Sequence, residues 1–333
     1  MLQMMSLISR RRSELAIDFG TSNLRLIRRD EGIVFDEPSL CCFSDLDRVP
    51  ILTAAGTAAW AMIDRTPRQL DVRRPLRRGV LQDIRTATHL LIYAIDRAGS
   101  RQRLAATRAV IGVPADATQA ERQALLTMAG DVGLRSARLV SEPFVAALGA
   151  ELPVDAPCAS MIVECGAGTT EVAVISLGGI CITRSVRIGG ASLDQGITDH
   201  LHLRHKFLIG QQSAEQLKKD YVRGKLGQPT PIQIRGRSLA TGLPAVLEIS
   251  SRDLDNVVEK HVAQITDVIR DVLNATSPEL SRDIHTHGIV LTGGGALMAA
   301  LRELIEHDTG LPTRVANDPT RCVAHGLHRI LSH

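Results

Sequence analysis

The sequence predicts an α/β protein of about two domains, and three glycine-bearing turns spread along its 333 residues carry that prediction. Two of the turns share one grammar. Leu15-Ala16-Ile17-Asp18-Phe19-Gly20-Thr21-Ser22-Asn23 is an apolar run with an acid near its end, a glycine turn bearing hydroxyls, and then an apolar-rich run over 24–27. Met161-Ile162-Val163-Glu164-Cys165-Gly166-Ala167-Gly168-Thr169-Thr170 repeats it, followed by an apolar run over 172–175. Both read as strand, tight turn, strand. The third is Gly288-Ile289-Val290-Leu291-Thr292-Gly293-Gly294-Gly295, a buried-type strand entering three glycines. After it, 296–306 shows helical spacing through Leu297, Leu301, Leu304 and Ile305.

The repeated turn suits a polyphosphate held between two copies of itself. Glycines without a Cβ let backbone N–H groups close on phosphate oxygens, and the hydroxyls of Thr21, Ser22, Thr169 and Thr170 add donors. Asp18 and Glu164, at the strand ends, can hold the hydrated Mg²⁺ that accompanies phosphates. Either turn alone reads equally as an ordinary hairpin; two copies in two halves of one chain favour the ligand. The third cluster, Gly293, Gly294 and Gly295, would let a base or ribose lie against the backbone. No G-x-x-x-x-G-K-[ST] occurs, and 166–171 breaks G-x-G-x-x-G at its last glycine, so the P-loop and Rossmann readings fall.

Composition excludes other classes. A formal charge of +3 and 2% aromatic residues offer nucleic acid neither a basic field nor stacking platforms. No run of eighteen apolar residues is present, which argues against a membrane-spanning helix. The cysteines, Cys41, Cys42, Cys158, Cys165, Cys181 and Cys322, form no C-x-x-C pair, and the basic cluster Arg10-Arg11-Arg12 follows the apolar start instead of preceding it. A reduced cytoplasmic compartment is expected.

These motifs, with Gly32-Ile33-Val34-Phe35-Asp36-Glu37-Pro38-Ser39, Ser141-Glu142-Pro143, Ser185-Val186-Arg187-Ile188-Gly189-Gly190 and Thr241-Gly242-Leu243-Pro244, resemble the actin-like ATPase superfamily and, within it, the MreB family of bacterial cell-shape proteins. The resemblance runs from about residue 14 to 331. It implies two similar α/β domains, each with a small insertion, around a cleft for ATP and Mg²⁺. The first would comprise 13–145 plus 318–333, with an insertion near 41–76, and the second 146–317, with an insertion near 186–246. It also implies a homopolymer filament on the inner face of the cell membrane, working with the cell-wall elongation machinery. Glu142 matches the glutamate that positions the attacking water, Thr169 the threonine beside the terminal phosphate, and Glu215 and Lys218 a helix that meets ribose and base.

Read without the family, Glu215 and Lys218 are also a surface i,i+3 ion pair, and Glu142 a solvated residue opening a helix with Pro143 in its first turn. His200, His202 and His205 invite a metal reading, which their spacing on a helix opposes. Departures from the family pattern bear on hydrolysis: Glu164 replaces an aspartate, Ala167 a glycine, and Leu24 a hydroxyl residue. The longer Glu164 displaces a water bridging to Mg²⁺, and the Ala167 methyl crowds a phosphate or opposes a left-handed backbone. Three classes therefore stand: an ATP-dependent cytoskeletal polymer, a nucleotide-binding scaffold that no longer hydrolyses, and a small-molecule kinase. Finally, Met1, Met4, Met5 and Ile8 fall on one face of a helix over 1–12, flanked by Leu2 and Leu7, the pattern of an interfacial membrane anchor.

Overall fold

The computed structural model describes residues 15–44, 49–99, 107–223 and 231–332. The expected anchor over 1–12 lies outside these residues. Two five-stranded mixed sheets dominate. The first runs Ser136–Ser141, Arg108–Val113, Leu15–Phe19, Asn23–Arg28, Gly32–Pro38; the second runs Thr313–Val315, Ile289–Thr292, Ser160–Cys165, Thr170–Ser176, Gly179–Val186. In each, the motif strand sits at the centre, antiparallel to its hairpin partner and parallel to a strand that arrives much later in the chain. The sequence repeat is thus a repeat of topology.

Burial explains why the motif strands are almost wholly apolar. Leu15–Phe19 and Ser160–Cys165 are buried throughout, so neither face can alternate with polar residues. Helices cover the sheets. Ile84–Arg97 buries Ala87, Leu90, Leu91, Ala94 and Ile95, three or four residues apart, and opens on Asp83, which accepts the Thr86 N–H at 3.0 Å. Gln119–Val132 opens on a Thr118/Glu121 capping box and stops at Gly133, whose φ of 101° suits a residue without Cβ. Asp255–Ala275 turns Val258, His261, Val262, Ile265 and Ile269 inward on the second half.

Two shorter helices join the halves. Glu142–Gly149 leaves the first sheet, and Cys322–Ser332 returns from the second to lie against it. Their backbones touch through glycine: a Cβ on Gly326 would sit 1.8 Å from Val145 O, and one on Gly149 1.8 Å from Cys322 O. Ala324, Leu327 and Leu331 then close over Ala16, Ile27 and Val110 of the first sheet. Two small three-stranded sheets, Ile51–Ala55/Cys41–Ser44/Leu70–Arg73 and Phe207–Leu208/Pro231–Ser238/Pro244–Ser250, project from the first and second halves.

Candidate nucleotide-binding cleft

The two repeated turns face each other across one cleft of about 630 Å³, within the size range of small-molecule sites. Each closes in the same way: Gly20 N–H donates to Asn23 O at 3.0 Å, and Gly166 N–H to Thr169 O at 2.9 Å. They approach closely through Thr21, whose Oγ1 accepts the Gly79 N–H at 3.0 Å, and through Gly168, where a Cβ would lie 2.3 Å from that same Oγ1. Ser22 occupies the exposed tip, and Asn23 donates through Nδ2 to Asp36 at 2.8 Å. Thr169 is buried, with its methyl 2.5 Å from where a Cβ on Gly79 would stand. The carbonyls of Gly166 and Ala167 accept N–H groups of Gly190 and Ala191, so the second turn is tied to the first turn of the helix Gly190–His205.

One end of the cleft is acidic. Asp18, Glu142 and Glu164 line it, Glu171 lies buried behind them, and burial raises the proton affinity of each. Glu164 is pushed up to about 8 by burial, then by Glu171 and Asp18. Glu142 rises well above the usual carboxylate range by burial, reinforced by Glu171 and Glu164. Glu171 accepts the Ala115 N–H at 2.7 Å through Oε1, while Oε2 is buried without a hydrogen-bond partner among the described residues; burial pushes it up to about 7. Arg25 supplies a positive charge here, with Nη1 donating to Asp18 Oδ2 at 2.8 Å.

The other end is apolar, lined by Leu193, Val222, Val262, Ile265, Met298 and Leu301. Glu215 and Lys218 enter it from the helix Gln211–Arg223, but not as partners of each other. Lys218 binds Asp194 at 2.8 Å and Gly190 O at 3.1 Å, while Glu215 pairs with Lys219 at 2.6 Å. His261 also lines the cleft, and burial followed by the Lys218 charge lowers its pKa to about 4, so it is neutral at physiological pH.

Several expectations change. The helix read over 296–306 starts at Ala299, because Gly294–Leu297 forms a 3₁₀ turn behind Gly293, whose φ is 78°, and Leu297 is exposed. The three glycines divide their work: a Cβ on Gly293 or Gly295 would strike Cys165, whereas Gly294 faces open space. Ala167 has no positive φ, so its methyl costs no backbone strain, and only crowding of a phosphate remains. Glu142 opens a helix with Pro143 in its first turn, but it is not a solvated residue: its carboxyl is drawn into the cleft and desolvated there. His200 and His205 have rings 5.8 Å apart, but no metal-binding group of three ligands exists among the described residues. Arg25, Glu171 and His261 were not singled out from sequence. For Arg25 a signal existed: a four-residue turn, 20–23, places it directly opposite Asp18.

The cleft fits a nucleotide on these grounds: close-set glycines at one end, an apolar wall at the other, and an open backbone face at Gly294. Asp18 and Glu164 are hard oxygen donors suited to the waters of a hydrated Mg²⁺; direct ligation is disfavoured, since Asp18 is engaged by Arg25 and no group of three ligands converges among the described residues.

Comparison with known proteins agrees. The profile of the MreB/Mbl protein family matches residues 12–333. The cell shape-determining protein MreB of Escherichia coli (strain K12) is 37% identical over 319 residues, covering 94% of this chain and 92% of that protein. MreB 5 of Spiroplasma citri, solved bound to AMPPNP, superposes with a TM-score of 0.89 at 32% identity, covering 95% of this chain and 94% of that one. A cryo-EM structure of the MamK filament matches with a TM-score of 0.76 at 26% identity over 95% of this chain and 97% of that one. The fold is the actin-like ATPase fold, and the chain belongs to the MreB/Mbl family.

Proposed function

We propose that this protein is an ATP-binding, actin-like cytoskeletal protein whose filaments lie on the inner face of the cell membrane and organise cell-wall synthesis and rod shape. The observation that carries the reading is the pair of repeated turns facing each other across one cleft, at Thr21 and Gly168. Relatives named as cell shape-determining proteins, and the structural likeness to a filament-forming protein, support the assembly. The division into 13–145 plus 318–333 and 146–317 belongs to the same reading, as do the wall-elongation partners.

In this reading the glycine turns and Thr21, Ser22 and Thr169 hold the phosphates, with Glu215, Lys218 and Gly294 toward ribose and base. Hydrated Mg²⁺, reached by Asp18 and Glu164, would supply charge neutralisation at the phosphates. Glu142 orients the attacking water and takes its proton, a task that its raised proton affinity assists. Thr169 stands beside the phosphoryl group that leaves. Calorimetric titration with Mg-ATP tests the reading: binding should weaken strongly in Thr21→Ala/Gly168→Val protein, and unchanged affinity removes the cleft argument. Sedimentation and negative-stain imaging test assembly. A second reading, a scaffold that binds nucleotide without hydrolysis, is favoured by Glu164 and Ala167 in the second turn, and protein that stays monomeric at high concentration with ATP and lipid would select it.

A further inference from the structure

The two hairpins carry the same turn but differ in what faces the acid. In the second, Glu164 stands directly opposite Glu171; in the first, Asp18 stands opposite Arg25. Opposed residues of an antiparallel pair share one face, so the first half brings its own cation to the place where the second half sets a second carboxyl. The row continues one strand further. Arg25 is also opposite Asp36, with Nε 3.1 Å from Asp36 Oδ1. Asp36 does not depend on Arg25, because Asn23 donates to it at 2.8 Å and Arg321 Nε approaches its other oxygen at 3.4 Å. Arg25 Nε, although close to Asp36, makes no hydrogen bond among the described residues. The guanidinium is hydrogen-bonded to Asp18 and ion-paired with Asp36, lines the cleft, and keeps donors to spare.

A polyphosphate entering this end meets Asp18, Glu142 and Glu164 on the cleft wall, and Arg25 is the cation bonded to the first of them. A guanidinium is always charged, and its planar fork matches phosphate oxygens. Resting on the nucleotide reading above, we propose that Arg25 is a built-in cation at the phosphate end of the cleft, neutralising Asp18 and presenting N–H groups to the phosphates, so that nucleotide binding depends only weakly on divalent metal.

The test is calorimetric titration of the full chain with ATP, in excess Mg²⁺ and in EDTA, for the wild type, Arg25→Leu and Arg25→Lys. The wild type should lose less than about tenfold in affinity on removal of Mg²⁺, and Arg25→Leu at least about tenfold more than the wild type, the equivalent of one charge-assisted hydrogen bond. Arg25→Lys, which keeps the charge without the fork, should fall between them. A wild-type loss of about tenfold or more, or an Arg25→Leu loss equal to that of the wild type, overturns the proposal. Should Arg25→Leu fail to fold, the wild-type ratio and Arg25→Lys decide the matter. Absence of ATP binding even in Mg²⁺ overturns the nucleotide reading itself, whereas binding in Mg²⁺ that vanishes in EDTA overturns the role of Arg25 alone.

Discussion

Gly168→Ala places one methyl group between the two halves of the molecule. Its carbon would stand 2.3 Å from Thr21 Oγ1, 2.6 Å from Gly79 N and 3.0 Å from Arg78 C, where ordinary contact begins at 3.4 Å. Two of these neighbours are backbone and cannot rotate away, so the facing turns must separate by about 1 Å, the scale at which overpacking costs about 1–3 kcal/mol. The hydrogen bond from Gly79 N to Thr21 Oγ1 stretches with them, adding about 1 kcal/mol. If ATP needs both turns in contact with its phosphates, the combined loss of about 2–4 kcal/mol appears as at least a thirtyfold weaker Kd, roughly. Calorimetry with Mg-ATP measures it. Adding Thr21→Ala removes one obstruction and leaves the two backbone contacts, so the double variant should recover no more than part of the loss. An affinity for Gly168→Ala within about twofold of the wild type would refute the idea that phosphate binding requires this close approach.

Four further outcomes are expected. Glu142→Ala should keep ATP bound while phosphate release falls by about 100-fold or more, as for loss of a general base, and unaltered release in a steady-state assay would exonerate that residue. Glu164→Asp combined with Ala167→Gly should raise turnover in the same assay; a flat result discards the account of the second turn's departures. His261 has a folded-state pKa of about 4 against an ordinary 6.5, so the unfolded chain binds the proton first as pH falls. Stability is therefore fully present above pH 6.5 and lost toward pH 4, by about 3 kcal/mol more than in His261→Gln, which urea midpoints across that window will reveal or contradict. Deleting residues 1–9 should release the protein from anionic vesicles in co-sedimentation, most of all where it does not polymerise, and equal pelleting of both forms would sink the anchor.

What the sequence made legible was local. An acid, a glycine and hydroxyls within six residues define a turn whose geometry owes little to the rest of the chain, so both repeated turns and the glycines at 293–295 are legible as strand ends from the sequence alone. Side chains that enter the cleft singly were harder. His261 reaches it from the middle of a 21-residue helix, and nothing in the spacing of that helix separates a cleft-facing histidine from a core-facing one. Glu171 looked like one residue of a buried strand, and its importance lies in Ala115, 56 positions away in the other half. The alternative pairing of Lys218 with Glu215 rested on helical spacing, which is all a sequence offers, whereas tertiary packing supplied Asp194. Arg25 was the avoidable omission, since hairpin register alone pairs it with Asp18.

The return of the Cys322–Ser332 helix to the first sheet sets an order of events during synthesis. Ala16, Ile27, Val110 and Val145 are covered by Ala324, Leu327 and Leu331, so this apolar face is made early and hidden late. At ribosomal speeds of about 5–20 residues per second, the interval between Val145 and Cys322 lasts about 10–35 s. Throughout it the nascent first half exposes a surface that no residue yet translated can cover, and the glycine-to-backbone fit at Gly326 admits no bulkier substitute once the helix arrives. Growing chains of this protein therefore carry an uncovered apolar face through that interval, and a ribosome stalled before residue 322 holds a half that cannot complete its own core.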